Sequence, residues 1–144
     1  KDMKQHLQSK GIEMRSFGGQ CPDGNMNGPQ ELAGKMREAM MVFHVKPGGD
    51  GFGHILHAAY AIGRPVITRS SHYKGQLGAQ LLVPGTFIDL DAMSAPDARN
   101  LIWRMSNAPE MLAEMGQKAA QRFNEVVDYN KEAREIWQWL EKLN

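Results

Sequence analysis

One stretch of the chain, KPGGDGFGH at residues 46–54, places glycines, an acid, a lysine and a histidine between two regular segments. Glycine lets the backbone approach an anion with no side chain in the way. The apolar run MVFHV precedes the stretch, and an alanine-rich helical segment follows it directly. The first turn of a helix presents N–H groups without intrahelical partners, at the positive end of the helix dipole. The stretch therefore predicts a phosphate-binding loop.

The side chains of this loop leave alternatives open. Lys46 fits either a phosphate contact or a solvated lysine, and Asp50 fits either a contact with a sugar hydroxyl or the cap of the following helix. His54 and His57 stand one helical turn apart, which is a spacing that metal-binding pairs use, but no third ligand accompanies them. We therefore expect these histidines to be structural and expect no metal.

Two common glycine fingerprints do not fit this loop. Gly49, Gly51 and Gly53 do not form the dinucleotide pattern G-x-G-x-x-G, and the Gly-Lys-Ser/Thr ending of the phosphate loop of nucleotide triphosphatases is absent.

The single cysteine, Cys21, has no fixed histidine partner in sequence, which argues against a nucleophilic role. It also cannot form an internal disulfide, so a cytoplasmic setting is the default.

A second polar loop follows the next predicted strand. Both loops leave the carboxyl ends of strands expected to be neighbours, which is the edge where open α/β sheets bind ligands. Taken singly, each residue of the second loop fits an ordinary surface position better than a ligand contact. The loop consists of Arg69, Ser70, Ser71, His72, Tyr73 and Lys74.

The elements that must position these loops follow from hydrophobic periodicity and from Gly and Pro signals. A helix around Met3 and Leu7 ends at Gly11, and its missing start suggests part of a longer polypeptide. Further helices are predicted from Pro29 and over Phe52–Ile62. Their alternation with strands predicts one α/β domain over residues 1–144, a Rossmann-like open parallel sheet with flanking helices and a helical C-terminus. The predicted strands are Ile12–Phe17, Met41–Val45, Pro65–Thr68 and Phe87–Leu90.

Three helices are predicted to close the chain. Ser94 with Asp97 forms a capping-box-like start for the first, Pro109 opens the second, and Asp128 caps the third. The residues expected to face inward are Ala98, Leu101, Ile102 and Met105 in the first helix, Leu112, Met115, Ala119, Phe123 and Val126 in the second, and Ala133, Ile136, Trp137 and Leu140 in the third.

Composition excludes some partners. The net charge is +1, from 17 basic and 16 acidic residues, so bulk electrostatics do not predict nucleic-acid binding. No apolar run approaches the roughly 20 residues that a membrane-spanning helix needs. We expect no transmembrane segment.

The segment VFHVKPGGDGFGHILHAAYAIGRPVI resembles the donor-site segment of glycosyltransferases with the GT-B fold, especially the retaining group with a Glu-x7-Glu motif. In that family an apolar strand runs into Pro-Ser-x-x-Glu-Gly-Phe-Gly, then a helix of small residues, then Gly-x-Pro-Val-Ile. The matching positions are Gly51-Phe52-Gly53, Ala58-Ala59, Gly63 and Pro65-Val66-Ile67. The closing helices resemble the family more weakly.

The resemblance implies a domain that binds a nucleotide-diphosphate sugar for glycosyl transfer, with retention and without a cofactor. It implies a longer chain with an N-terminal acceptor domain, through which the protein could lie at the inner membrane surface. We assign no catalytic residue. The residues expected near the donor are Lys46, Gly49, Asp50, Gly51, Phe52, Gly53, His54, His57, Arg69 and Ser70.

The departures from the family pattern matter as much as the matching positions. Asp50 stands at the first Glu of the motif, and Ala58 stands at the second, which usually holds the nucleotide ribose. His57 points about 100° away around the helix and replaces that Glu imperfectly. A non-catalytic glycosyltransferase-like module that has lost the donor site is the main alternative, and a sugar-nucleotide epimerase of related fold is a remote one.

The family map also makes a prediction about the sheet. Two strands of the family's sheet, which would separate Ile12–Phe17 from Met41–Val45, would lie before Lys1. The two remaining strands must then pair directly, which we favour, or leave an edge that associates with another copy or another polypeptide.

Overall fold

A computed structural model describes residues 3–48 and 51–143. Its sheet has three parallel strands, β1 (Val42–Phe43), β2 (Val66–Thr68) and β3 (Phe87–Asp89), in the order β1-β2-β3. In the register, Val66 is the partner of both Val42 and Phe87. This arrangement confirms the predicted α/β class with an open parallel sheet, although each strand is shorter than its apolar run.

Helices cover both faces of this sheet and form the C-terminal half of the chain, as predicted. Two short 3-10 helices follow β2. The helices are α1 (Met3–Gln8), α2 (Pro29–Glu38), α3 (His54–Ala61), α4 (Ala95–Ser106), α5 (Pro109–Val126) and α6 (Tyr129–Glu141), and the 3-10 helices are Ser70–Tyr73 and Leu77–Leu81. None of the helices in the described ranges is long and apolar enough to cross a membrane.

The core has two halves, one on each face of the sheet. Val66 points into the half built on α3 and α5, and its neighbour Ile67 points into the half beneath α1 and α4. All three residues of β2 are buried, because a parallel strand covered by helices on both faces has no solvated side. The central strand is thereby fixed, and its carboxyl end is held in place.

Two of the predicted helix caps are confirmed. The Ser94 hydroxyl accepts a hydrogen bond from the backbone N–H of Asp97 at 3.3 Å, and the Asp128 carboxylate accepts one from Lys131 N–H at 2.9 Å. Both caps satisfy donors that the first turn of a helix leaves without an intrahelical partner. The predicted inner face of α5 also lies against the core.

The predicted first strand, Ile12–Phe17, is wrong: this segment is irregular and belongs to no sheet. Its backbone bonds locally instead. Ile12 N–H donates to the carbonyl of Leu7 at 3.0 Å, and Ser16 N–H donates to the Asp23 carboxylate at 2.6 Å. The alternation of apolar residues in the segment reflects Ile12 and Met14 packing onto the core beneath α1 and α4. The favoured direct pairing with β1 therefore fails.

The predicted inward face of the last helix is also wrong. No residue of α6 is buried, and Ile136, Trp137 and Leu140 are 60%, 65% and 43% exposed. Ala133 is exposed as well. The periodic pattern correctly predicts one apolar face, but periodicity does not say which surface covers that face.

Candidate functional site

The loops that follow the strands share one edge of the sheet. Because the strands are parallel, the chain leaves the carboxyl ends of β1, β2 and β3 on the same side. The glycine stretch and Lys46 follow β1, the polar loop from Arg69 follows β2, and a turn with Asp91 follows β3. The polypeptide therefore brings the two loops that the sequence singles out to one edge.

Gln76 joins these two loops through its side-chain amide. Its Nε2 donates to the carbonyl of Gly48 at 2.6 Å, and its Oε1 accepts from Gly51 N–H at 3.0 Å. The two glycines have φ angles of +78° and +68°, in the left-handed region where a Cβ is disfavoured. Gln76 therefore fixes the chain on both sides of Gly49 and Asp50, two predicted site residues that lie outside the described residues.

Gly53 begins α3 in a left-handed conformation, with φ 79° and ψ 47°, and no side chain caps the helix. The first-turn N–H groups, those of His54, Ile55 and Leu56, have no carbonyl four residues earlier within the helix. The N-terminus of α3 therefore directs its donors and its dipole toward the carboxyl edge of the sheet, as an anion site requires.

His57 is turned into the domain and is only 6% exposed. Its Nδ1 lies 2.9 Å from the carbonyl oxygen of Gly53. A carbonyl only accepts, so Nδ1 carries the hydrogen and a neutral ring has its lone pair on Nε2. The ring also stacks on Phe52, with centroids 4.3 Å apart. His57 thus holds the glycine turn in place, and its Nδ1 is already engaged.

The remaining aromatic and basic residues of the first loop face outward. Phe52 is 42% exposed and tilts against His54, with ring centroids 5.1 Å apart. His54 and Lys46 are exposed. No group of three or more His, Cys, Asp or Glu side chains within residues 3–48 and 51–143 is arranged to hold a metal ion.

Asp89, the last residue of β3, and Asp91, two residues later, hold the second loop. The Asp91 carboxylate accepts from the Arg69 guanidinium at 2.8 Å and from Ser71 N–H at 2.9 Å. Asp89 accepts from Ser70 N–H at 3.2 Å. The Arg69 guanidinium and the backbone N–H of Ser70 are therefore engaged within the protein, and Asp91 offsets the Arg69 charge.

Two buried polar atoms near the second loop have no hydrogen-bond partner among the described residues. One is Thr68 Oγ1, at the carboxyl end of β2, and the other is His72 Nδ1, in the first 3-10 helix. Buried polar groups are usually paired with protein or water. Tyr73, which sequence analysis placed in a polar loop, is instead fully buried in the core, while Lys74 is exposed.

A surface cavity of about 310 Å³ lies at the other end of the sheet, before β2 begins. Arg37, Arg64, Pro65 and Pro109 are among its lining residues. It is distinct from the edge that carries the glycine loop.

Comparison of the chain with models of known protein families, with curated proteins and with solved structures found no match.

The roles of Gln76, Asp89 and Asp91 at this edge were not predicted from the sequence. A glutamine in a loop carries no signal of its own, and its two bonds join segments 25 and 28 residues apart along the chain. Asp89 ends β3 and Asp91 follows it, and a strand was predicted there, so the position of both aspartates at the carboxyl edge could be predicted from the sequence. Their pairing with the loop after β2 depends on the strand order.

We expect Gln76→Ala to lower the free energy of unfolding by about 1 kcal/mol, because two hydrogen bonds at a partly exposed site are lost. The amide hydrogen of Gly51 should also exchange faster with solvent, since its acceptor is removed. Chemical denaturation and hydrogen–deuterium exchange measure the two effects. Gln80→Ala, at an exposed glutamine in the neighbouring 3-10 helix, should change neither quantity.

The hydrogen bonds from Ser71, and then the Arg69 guanidinium, lower the pKa of Asp91 from 3.8 to about 2. A folded-state pKa below the unfolded value means that this carboxylate stabilises the fold above about pH 4, and that the contribution is lost as pH falls through about 2. Asp91→Asn should flatten the pH dependence of unfolding in that window. An NMR titration of the Asp91 carboxyl with a midpoint near 3.8 would contradict the assignment.

Proposed function

We propose that the chain is the nucleotide-sugar-binding domain of a glycosyltransferase with the GT-B fold. The observation that carries the proposal is the N-terminus of α3, which faces the carboxyl edge of a parallel sheet behind a glycine cap that supplies no side-chain oxygen. Such a terminus favours a diphosphate through its N–H donors and its dipole. The resemblance of residues 42–67 to the donor segment of those enzymes supplies the sugar-nucleotide class.

The surroundings of this terminus support the same ligand class. Lys46 adds a positive charge, and Phe52 offers an exposed ring at the same loop. Thr68 Oγ1 and His72 Nδ1 are buried polar groups that a ligand or an ordered water could satisfy. Arg69 contributes less, because its guanidinium already pairs with Asp91.

The proposed chemical contribution is electrostatic. When the bond between the anomeric carbon and the diphosphate breaks, negative charge accumulates on the leaving group. Donors that are oriented before the reaction stabilise that charge most effectively. The N–H groups at the start of α3 are held by helix geometry, and the loop before them is held by Gln76 and His57.

A second candidate is a module of the same fold that no longer binds the donor. Ala58 is half-buried and packs against the core that includes Leu56 and Tyr60. A methyl group there offers no acceptor for ribose hydroxyls. This candidate predicts that no nucleoside diphosphate binds.

Isothermal titration calorimetry with uridine, guanosine and adenosine diphosphates tests the proposal. Lys46→Met should weaken the best binder by roughly three- to tenfold, about 1 kcal/mol, through the loss of one charge near phosphate. Lys118→Met is the matched control: Lys118 lies near Gly85, before β3, at the other end of the sheet. Absence of binding by all three nucleotides, in a folded protein, would favour the second candidate.

A further inference from the structure

The last helix, α6, is exposed along its whole length. None of its residues is buried, and it makes at most marginal contacts with the other helices and strands of the described chain. A helix of 13 residues is only marginally stable in water on its own. Helices of this length are normally stabilised by packing of an apolar face, so α6 lacks the contact that would stabilise it.

The apolar residues of α6 repeat with heptad spacing. Successive steps of four, three and four residues lead from Tyr129 through Ala133 and Ile136 to Leu140 within α6, and a further step of three leads to Leu143, just past the end of the helix. This is the a/d pattern that brings two helices together along a continuous seam. Trp137 and Trp139 flank the stripe. We define the apolar face of α6 as the stripe together with these two tryptophans.

A recess lies beside the apolar stripe of α6. Its volume is about 370 Å³, and Glu132, Glu135, Ile136 and Trp139 line it. Only Ile136 and Trp139 belong to the apolar face, so the recess marks the border between that face and the acidic residues at its side.

The extent and charge of this face suit association with an identical helix. Its three large aromatic side chains, Tyr129, Trp137 and Trp139, are 61%, 65% and 59% exposed. At roughly 200 Å² each, they leave about 370 Å² of aromatic surface. The aliphatic residues Ile136, Leu140 and Leu143 bring the face toward the roughly 800 Å² that each partner contributes to a standard interface.

The charges of α6 and the lysine that follows it cancel. Lys131, Arg134 and Lys142 balance Glu132, Glu135 and Glu141, so two copies meet without net repulsion. We propose that the chain forms a homodimer by packing the apolar face of α6 against the same face of a second copy. Such a contact uses the same surface on both subunits and closes after two chains.

Sedimentation equilibrium of the 144-residue chain from about 1 to about 300 μM tests this pairing. The expected result is a monomer–dimer equilibrium, accompanied by a blue shift of tryptophan emission as the protein is concentrated. The shift needs no variant, because two of the three tryptophans lie on the apolar face of α6.

A pair of matched variants locates the interface. Leu140→Asp places a charge on the stripe and should abolish the dimer, whereas Gln138→Asp places the same charge on the opposite side of the helix and should retain it. Circular dichroism should show the same helix content for both variants at dimer-forming concentrations, apart from fraying of α6 in the monomer. A chain that stays monomeric throughout overturns the proposal and leaves the face to a different polypeptide. A dimer that survives Leu140→Asp also overturns it and points to another surface, such as the outer edge of β1.

Discussion

Gly116→Ala is expected to lower the free energy of unfolding by about 3 kcal/mol, at the upper end of the range for an overpacked core. A Cβ at this position of α5 would lie 2.3 Å from the backbone oxygen of Gly63 and 3.7 Å from Pro65 Cδ. The first distance is far inside van der Waals contact. The obstacle is backbone, so relief requires α5 to move away from the turn between α3 and β2.

The Gly63 turn cannot yield easily either. Gly63 has a φ angle of +64°, and its own added Cβ would lie 3.1 Å from the Gly116 oxygen. The two glycines thus create a mutual close approach that fixes α5 against the start of β2. Moving this turn would displace Val66, which is fully buried in the core.

Gly34→Ala is the matched control for this prediction. Gly34 lies inside α2, and nothing lies within 4 Å of its added Cβ. Because alanine loses less backbone entropy than glycine in a helix, this variant should gain about 0.5–1 kcal/mol. Urea denaturation measures both variants. Equal effects in the two would contradict the close packing of α5 on the Gly63 turn.

Leu56→Ala is expected to cost about 2–5 kcal/mol, the range for a buried leucine that leaves a cavity. Leu56 is fully buried and belongs to the core cluster with Tyr60 and Tyr73. It lies in the first turn of α3, so its loss should loosen the helix terminus proposed to bind the diphosphate. Binding of a nucleoside diphosphate should weaken along with stability.

Leu77→Ala gives the comparison for this loss. Leu77 belongs to the neighbouring 3-10 helix but is 62% exposed. The same truncation at this site should change the free energy of unfolding by no more than about 0.5 kcal/mol. Thermal and urea denaturation of both variants measure the difference, and a cost for Leu77→Ala that matches the cost for Leu56→Ala would mean that α3 is misplaced.

The sheet and its carboxyl edge could be predicted from the sequence because the information is local. The apolar run around Val42 and the β-branched residues of β2 indicate buried strands, and the helix-forming stretch between them requires a parallel crossover. Ser94 and Asp128 capped helices as predicted, because a capping side chain acts within three residues of its own position.

The failures share a different cause. The segment around Ile12 and Met14 alternates as a strand does, yet its backbone finds partners in α1 and in the turn at Asp23. Helix α6 is amphipathic, with Trp137 on its apolar side, yet nothing in the sequence of the helix specifies which surface covers that side. Both outcomes depend on long-range packing rather than on periodicity.

In the candidate site, too, local features could be predicted from the sequence and long-range contacts could not. The position of the Gly51–Gly53 stretch at a helix terminus could be predicted, because it depends on one strand and one helix. The two hydrogen bonds of the Gln76 side chain and the pairing of Arg69 with Asp91 depend on contacts between separate loops. The second contact changes the role expected of Arg69, because a guanidinium that is already paired attracts phosphate less strongly.

Titration of the ¹⁵N-labelled chain with uridine, guanosine and adenosine diphosphates and with pyrophosphate, followed through backbone amide shifts, tests the proposed diphosphate site at α3 directly. The largest shifts are expected at Gly51, His54, Ile55 and Leu56, and at least one nucleotide should bind more tightly than pyrophosphate. The absence of shifts at these amides, or shifts confined to the cavity lined by Arg37 and Arg64 at the opposite end of the sheet, would contradict a donor site at this helix terminus.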